Sequence, residues 1–200
     1  VNFSMPFHFA ANTNDMLSIY EAMRTNNPSP FMGIVMHEDF TILSGSPERL
    51  FSLNNHTITT RPIAGTKKRG IDHQADDAHM QDLTSCPKEN AEHVMLVDLL
   101  RNDLNHISEP GSVVVDEDRT VEFYSHVMHL VSEISGHTTK DLVEIVRAIF
   151  PGGTITGAPK QCVMKALMEL EDTARGAYPG SLGYISAGYG VDFNTLIRSV

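Results

Sequence analysis

The sequence is short of the features that mark several common protein classes. It contains only two cysteines, Cys86 and Cys162, which lie far apart and outside any CxxC or Cys/His cluster. A disulfide framework and a structural zinc site are therefore not expected, and free thiols fit a reducing cytoplasm. No uninterrupted apolar stretch approaches the length of a membrane span, and no signal-peptide pattern is visible. We expect a cytoplasmic protein with no membrane partner.

Positive charge is also scarce. Lysine and arginine total 15 against 25 aspartates and glutamates, which gives a formal net charge of −10. A nucleic-acid-binding protein needs a basic surface to meet the phosphates, so no nucleic-acid partner is expected. With 200 residues, 41% hydrophobic and 20% charged, the chain is typical of a globular protein and long enough to bury a core.

The chain shows no internal repeat and no low-complexity linker. We therefore predict a single unit over residues 1–200. It begins at Val1 without an initiator methionine, and its last residues, Ile197–Val200, have the pattern of a strand. We therefore expect that the chain is part of a larger fold that continues at both ends.

The apolar pattern alternates between helical and strand periodicity. Helices are predicted at residues 16–26, from Pro87 through 104, at 141–150 and at 159–171, with the proline-rich run at 27–30 ending the first. Strands are predicted at 32–36, 40–43, 50–53, 57–60, 113–115, 120–123, 126–134, 182–187 and 194–198, with hairpin turns at 54–55 and 116–119. Short antiparallel hairpins separated by helices indicate an α+β fold.

The strongest local candidate for chemistry is the segment Lys88–His93. Glu89 and Glu92 are three residues apart and His93 is four beyond Glu89, so all three are expected on one helix face. Carboxylate oxygens suit Mg²⁺, which takes one or two of them and completes its shell with water and substrate. The alternative is a solvated helix surface, which is the commoner outcome for an isolated pair of glutamates.

Two histidines, His126 and His129, have a spacing that invites a zinc site. Their neighbours read as a strand, in which positions 126 and 129 point to opposite faces and cannot share one metal. Either histidine could be catalytic, and a hydrogen-bonded core histidine is the commoner alternative.

Two further segments could each form part of a functional site or serve only as a structural connection. The glycine-rich run at 151–160 is not a P-loop, although glycines and a helix start at Pro159 suit a carboxylate ligand; the alternative is a connector without a ligand. Glu48 follows Ser46 and Pro47, and if shielded from water it could serve as a general acid. Otherwise it is an exposed turn residue.

Taken in order, these segments resemble the chorismate-utilising enzymes. The similarity rests on Asn27–Met32, Ser46–Leu50, Arg61–Thr66, Lys88–Asp98, Arg101–Asp103, Tyr124–His129, Gly157–Lys160, Gly183–Tyr184 and Ile197–Arg198. The resemblance implies the family fold, with antiparallel sheets in a layered β-sandwich core and flanking helices, here a catalytic domain incomplete at both ends.

The resemblance also implies a site. It assigns Mg²⁺ to Glu92 and Glu89, with further acidic ligands from a segment that would follow Val200. It makes Glu48 the general acid that protonates the departing C4 hydroxyl of chorismate. His129 would be the histidine that takes part in aromatisation of the ring. Substrate contacts fall on Ala64, Gly65, Thr66, Thr156, Gly157, Tyr178 and Arg198. A pocket for tryptophan as feedback inhibitor falls on Asn27, Pro28, Ser29, Pro30, Phe31, Met32 and Tyr184.

Within the family, the residues favour the anthranilate synthase branch, which aminates chorismate with ammonia from a glutaminase subunit and releases pyruvate. Alanine at position 64 excludes the lysine nucleophile that many aminodeoxychorismate synthases carry there, and the segment Asn27–Met32 resembles the inhibitor motif. The glutamine that marks the aminating branches would precede Val1-Asn2. The alternative is aminodeoxychorismate synthase, because Gly152-Gly153 resembles that branch.

Two other classes remain open. One is a divalent-metal hydrolase that uses Glu89, Glu92 and a histidine. The other is a non-catalytic amino-acid-binding domain that uses the pocket at Asn27–Met32.

Overall fold

The structure is a computed structural model that describes residues 3–8, 10, 12, 15–188 and 190–200. Val1 and Asn2, which the sequence analysis used to place the family's glutamine, lie outside the described residues. Where the described chain is helical, the segments are α1 (Met16–Asn26), α2 (His73–Ser85), α3 (Pro87–Asn105), α4 (Leu142–Ile149), α5 (Gly153–Thr156) and α6 (Lys160–Leu170). The strands are β1 (Phe31–Met36), β2 (Thr41–Ser46), β3 (Arg49–Asn54), β4 (Thr57–Arg61), β5 (Ile63–Lys68), β6 (Val114–Phe123), β7 (Val127–His137), β8 (Gly183–Ser186) and β9 (Gly190–Asn194).

The strands form two antiparallel sheets. β1 and β2 pair as a hairpin, while the larger sheet has the order β5-β7-β4-β3-β9-β8, with β6 on the other side of β7. β7 pairs with β5 through its first half and with β4 through its second half. β7 is therefore the central strand that joins β4, β5 and β6 into one sheet.

α3 covers this sheet. Proline at its first turn costs no helical hydrogen bond and sets the backbone angle for the helix. Its inward side buries His93, Leu100, Asp103 and Leu104. The two leucines join a core that α4 and the sheet complete, made of Leu50, Phe51, Ile58, Leu100, Leu104, Ile107, Ile134, Ile145 and Ile149.

Two β-bulges lie on opposite sides of β7. Ile63 pairs with Val131 and Thr66 with His129, so β5 carries one more residue than β7 across this stretch. β6 has its own register shift between Glu117 and Thr120, where Arg119 adopts a φ of 52°. An extra residue in one strand bends it and redirects its backbone and side chains.

The predicted α+β class is confirmed, and all four predicted helices and most of the predicted strands are present. The hairpin predicted at 116–119 is wrong, because β6 runs through these residues and absorbs the polar stretch as a bulge. The strand predicted at 194–198 is also wrong: β9 ends at Asn194, and Arg198 has a φ of 51°. α2 was not predicted. Among the described residues, no helix combines the length and apolar character needed to span a membrane.

Candidate active site

Glu48 lies between β2 and β3 and is only 5% exposed. Its backbone is fixed from two sides: the Glu48 N–H donates to Ser46 Oγ at 3.2 Å, and the Thr195 N–H donates to the Glu48 carbonyl at 3.0 Å. Ser46 Oγ in turn donates to the Thr195 carbonyl at 2.6 Å. The ordinary reading of Glu48 as an exposed turn residue is therefore wrong.

The Glu48 carboxyl is held by one donor in a dry environment. Burial raises its pKa from 4.5 to about 7, and the hydrogen bond from Thr154 only partly opposes this rise. Thr154 Oγ1 donates to Glu48 Oε1 at 2.6 Å. A carboxyl with such a pKa is substantially protonated near neutral pH, as a general acid must be.

The donor Thr154 comes from α5, a single helical turn in the glycine-rich run. Gly152 precedes this turn, and a Cβ built there would lie 3.0 Å from Leu50 Cδ1. A Cβ at Gly153 would lie 2.4 Å from Leu99 Cδ2. The two glycines thus let the turn pack closely enough to bring Thr154 to Glu48. Neither Thr154 nor its partnership with Glu48 was predicted, since they are 106 residues apart.

His129 lies on β7 and is 2% exposed. Its Nδ1 is 2.8 Å from Thr66 Oγ1, and its ring meets Tyr124 edge-on with centroids 5.3 Å apart. Nε2 is buried without a hydrogen-bond partner among the described residues. Burial and then the charge of Arg198 lower the His129 pKa, against smaller opposing effects of the Gly65 backbone and Glu122. The ring is therefore neutral near neutral pH.

The segment after β9 links the Glu48 and His129 regions. Thr195 is bonded to the Glu48 backbone, and three residues later Arg198 acts electrostatically on His129 and Tyr124. Thr195 Oγ1 is a second buried atom without a partner in the described structure. Residues 195–198 therefore hold the Glu48 backbone in place and bring the Arg198 charge near His129.

His126 and His129 do not share a ligand. His126 is exposed, and its Nε2 lies 2.8 Å from the carbonyl of Asn26. The prediction that the two side chains diverge is confirmed.

The bulge in β5 contains Ala64 and Gly65, and Gly65 has a φ of 104°, a backbone angle that favours glycine. His93 Nδ1 lies 2.9 Å from the Ala64 carbonyl. A Cβ built at Gly65 would lie 3.3 Å from Glu89 Oε2. The start of α3 therefore faces this bulge.

The expectation that Glu89, Glu92 and His93 share one face is wrong. His93 is fully buried, because adjacent helical positions differ by about 100° and position 93 points into the sheet. Glu92 is on the outer side, with a side chain 52% exposed and 3.9 Å from Lys88 Nζ. His93 is thus a buried structural partner of the Ala64 bulge.

Among the described residues, no group of three or more His, Cys, Asp or Glu side chains is arranged to hold a metal ion. Glu89 forms no hydrogen bond with a described residue, and Glu92 has only the long contact to Lys88. Two carboxylates one turn apart match the protein share of a Mg²⁺ shell. The donor chemistry fits, and these residues would form part of such a site.

Thr156 and Tyr178 line one cavity of about 570 Å³ between α6 and the following loop. Gly157 ends α5 with a φ of 99°. Arg198 instead lines a cavity of about 280 Å³ that also includes Asn27. The structure therefore brings Thr156 and Tyr178 together but places Arg198 in a different cavity from Tyr178.

A third cavity, of about 650 Å³, lies between β1 and the β8–β9 hairpin. Pro30, Phe31, Met32 and Tyr184 line it, together with Arg49. Arg49 stacks over the Phe31 ring at 4.9 Å and forms a bidentate pair with Asp192. Asn27, Pro28 and Ser29 are not among the residues that line this cavity.

Residues 1–200 match the family model described as chorismate binding enzyme. The chain belongs to the chorismate-binding enzyme family. It is 49% identical over 184 residues to aminodeoxychorismate synthase component 1 of Bacillus subtilis, covering 91% of this chain and 39% of that protein. It is 44% identical over 184 residues to anthranilate synthase component 1 of Aquifex aeolicus, covering 91% of this chain and 37% of that protein.

A solved structure of the same family also superposes on this chain. Anthranilate synthase component I from Streptococcus pneumoniae has a TM-score of 0.83 and 39% identity, covering 96% of this chain and 42% of that one. The chain therefore spans about two fifths of the length of these family members.

Proposed function

We propose that this chain is the catalytic part of an enzyme that aminates chorismate and releases pyruvate to give anthranilate. The observation that carries the proposal is Glu48, a buried carboxyl with a pKa of about 7 that accepts a hydrogen bond from Thr154. Such a group can protonate a leaving hydroxyl near neutral pH. In the proposed reaction, ammonia adds at C2 of chorismate while the C4 hydroxyl departs.

The geometry of Glu48 suits this proton transfer. Thr154 donates to Oε1, which leaves the acid proton on Oε2. The fixed backbone limits the positions the carboxyl can take. We assign Glu48 the role of donating its proton to the departing C4 oxygen, which lowers the barrier to bond cleavage.

His129 is assigned to aromatisation. Its neutral ring has one nitrogen against Thr66 and the other, Nε2, without a partner among the described residues. With Nδ1–H donating to Thr66, Nε2 can accept the ring proton that is lost as pyruvate leaves. Thr66, Gly65 and Ala64 form the adjoining backbone wall of the proposed substrate site.

Glu89 and Glu92 would hold Mg²⁺ together with ligands from outside this chain. When bound, the ion would neutralise a carboxylate of the substrate, which is otherwise repelled by an acidic protein. Arg198 is assigned to the enolpyruvyl carboxylate because its charge already reaches His129. Tyr178, Thr156 and Gly157 are proposed to line the same substrate from the side of α5, although Tyr178 and Arg198 line separate cavities in this structure.

The ammonia is proposed to come from a glutaminase subunit. Tryptophan is proposed as an inhibitor in the cavity of Pro30, Phe31, Met32 and Tyr184; Asn27, Pro28 and Ser29 do not line this cavity. Arg49 and Asp192, which pair with each other, place one cation and one carboxylate at the wall of this cavity.

The second candidate product is 4-amino-4-deoxychorismate. It is favoured by the pair Gly152-Gly153, which resembles the aminodeoxychorismate synthase branch, and by the 49% identity to the Bacillus subtilis relative. The chemistry at Glu48 is shared, since both reactions remove the C4 hydroxyl of chorismate.

The test is product identification with the whole protein that contains this chain. Chorismate, Mg²⁺ and ammonium should give a fluorescent product with the mass of anthranilate, while omission of ammonium should abolish it. 4-Amino-4-deoxychorismate would move the assignment to the second candidate. Zinc retention without chorismate turnover would favour a hydrolase, and tryptophan binding without chorismate binding would favour an amino-acid-binding domain.

A further inference from the structure

One chain of hydrogen bonds connects the two bulges that flank β7. On the β6 side, the Arg119 N–H donates to Ser132 Oγ at 2.9 Å. On the β5 side, His93 Nδ1 lies 2.9 Å from the Ala64 carbonyl. His93 Nε2 and Ser132 Oγ are 2.7 Å apart and join the two ends. His93 and Ser132 are both fully buried.

The bulge explains why Ala64 needs a partner from outside the sheet. The register passes from Ile63 opposite Val131 to Thr66 opposite His129, so Ala64 and Gly65 share the single residue Leu130 on β7 and the regular ladder is interrupted there. Ala64 is only 8% exposed, and a buried carbonyl without a hydrogen bond is costly. α3 supplies the partner through His93.

The donor and acceptor in each of these hydrogen bonds follow from counting the available protons. A carbonyl only accepts, so the proton of His93 is on Nδ1, and Nε2 accepts from the Ser132 hydroxyl. That hydroxyl has one proton, and its other acceptor, Asp118 Oδ1, is more distant at 3.4 Å. Ser132 Oγ then accepts from the Arg119 N–H. With the Ser132 proton on the shorter contact, to His93 Nε2, each buried group is paired in one consistent arrangement.

We infer that His93 is a positioning residue, which fixes the Ala64–Gly65 bulge as a rigid backbone wall of the substrate site. His129 holds the next residue, Thr66, from β7. Glu89, one helical turn before His93, lies against Gly65. His93 therefore contacts Ala64 from α3, and His129 contacts Thr66 from β7. α3 also places Glu89 beside Gly65, between these two contacts.

This inference rests on the proposed function for the identity of the ligand, and a matched pair of variants separates the two. In His93→Asn the amide nitrogen can take the place of Nδ1, so the bond to Ala64 is kept and that to Ser132 is lost. In His93→Gln the longer side chain reaches Ser132 and leaves Ala64 without its donor. Ser132→Ala removes the hydroxyl and leaves the Ala64 bond.

The experiment measures chorismate kinetics, thermal unfolding and amide hydrogen exchange at residues 64–66 in the whole protein. We expect His93→Gln to raise KM for chorismate about tenfold, with a smaller effect on kcat, because loss of a binding wall weakens ground and transition states alike. It should also speed exchange at Gly65. His93→Asn and Ser132→Ala should leave KM within about threefold of the wild type, while all three variants lower the melting temperature.

Equal KM values and equal exchange at Gly65 in the Gln and Asn variants would overturn the inference and leave His93 as a core residue. If the wild-type protein does not turn over chorismate, the proposed function fails. The exchange rates of the two variants would then still decide whether His93 holds the bulge.

Discussion

The Glu48 region and the outer face of α3 differ in how completely this chain builds them. Glu48 has a fixed backbone, a buried carboxyl and one donor to that carboxyl, all from residues of this chain. Glu92 on α3 is half exposed, and its only ion-pair partner among the described residues is Lys88. The Glu48 carboxyl is therefore preorganised, whereas the proposed metal ligands on α3 are not joined by a third metal-binding side chain among the described residues.

The largest effect should follow from neutralising the preorganised group. Glu48→Gln keeps the size of the side chain and its acceptor for Thr154 but removes the acid proton. We expect kcat to fall roughly 10²–10⁴-fold, with chorismate affinity nearly unchanged. Steady-state kinetics and equilibrium binding check this, and unchanged turnover would remove Glu48 from the acid role.

On α3, Glu89→Gln and Glu92→Gln should each weaken activation by Mg²⁺. The expected increase in the Mg²⁺ concentration for half-maximal activity is about tenfold or more, because each variant replaces an anionic ligand by a neutral one. Glu169→Gln, an exposed glutamate on α6, is the matched control and should leave Mg²⁺ activation unchanged. Equal responses in all three would argue against a metal site on α3.

The pH dependence should distinguish the two regions further. The Glu48 pKa is raised from 4.5 to about 7, so the folded protein keeps a proton that the unfolded chain releases within this window. Stability should therefore fall as the pH rises from 4.5 to 7, by about 3 kcal/mol in total. In the folded protein the Glu48 carboxyl ionises around its pKa of about 7, so kcat should decline as the pH rises through this value.

Thr154→Val should move the decline in kcat to higher pH, because the hydrogen bond from Thr154 favours the ionised carboxyl. Thr154→Ser keeps the donor and should restore the wild-type profile. Glu48→Gln provides the control for stability, since it should abolish the pH-dependent loss measured by denaturant unfolding. An unchanged profile in Thr154→Val would show that this hydrogen bond does not govern the acid.

The smallest effect is expected on the exposed face. Lys88→Ala removes an ion pair of 3.9 Å whose side chains are 76% and 52% exposed. The free energy of unfolding should change by about 0.5 kcal/mol or less. A much larger loss by denaturant titration would mean that this face is organised in the folded chain, which would weaken the contrast with Glu48.

Much of the local structure was predictable because it depends on neighbouring residues. The helical spacing at Met16–Met23 and the proline that opens α3 predict two helices with correct starts or ends. The hairpin at 116–119 was wrong because turn-forming residues also suit a bulge, and the choice depends on pairing with β7. α2 was missed because its sequence is polar, with Leu83 as its only buried residue.

The α+β class, the order of the family motifs and the presence of a carboxylate at position 48 all follow from the amino-acid sequence alone. The burial of Glu48 and its hydrogen bond with Thr154 depend on the three-dimensional packing, since a residue 106 positions away must be brought against it. That packing also turned His93 inward to the Ala64 bulge, away from Glu92 on the outer side of α3. Spacing fixes which side chains share a helix, but the pKa and partners of a side chain depend on what the rest of the fold packs around it.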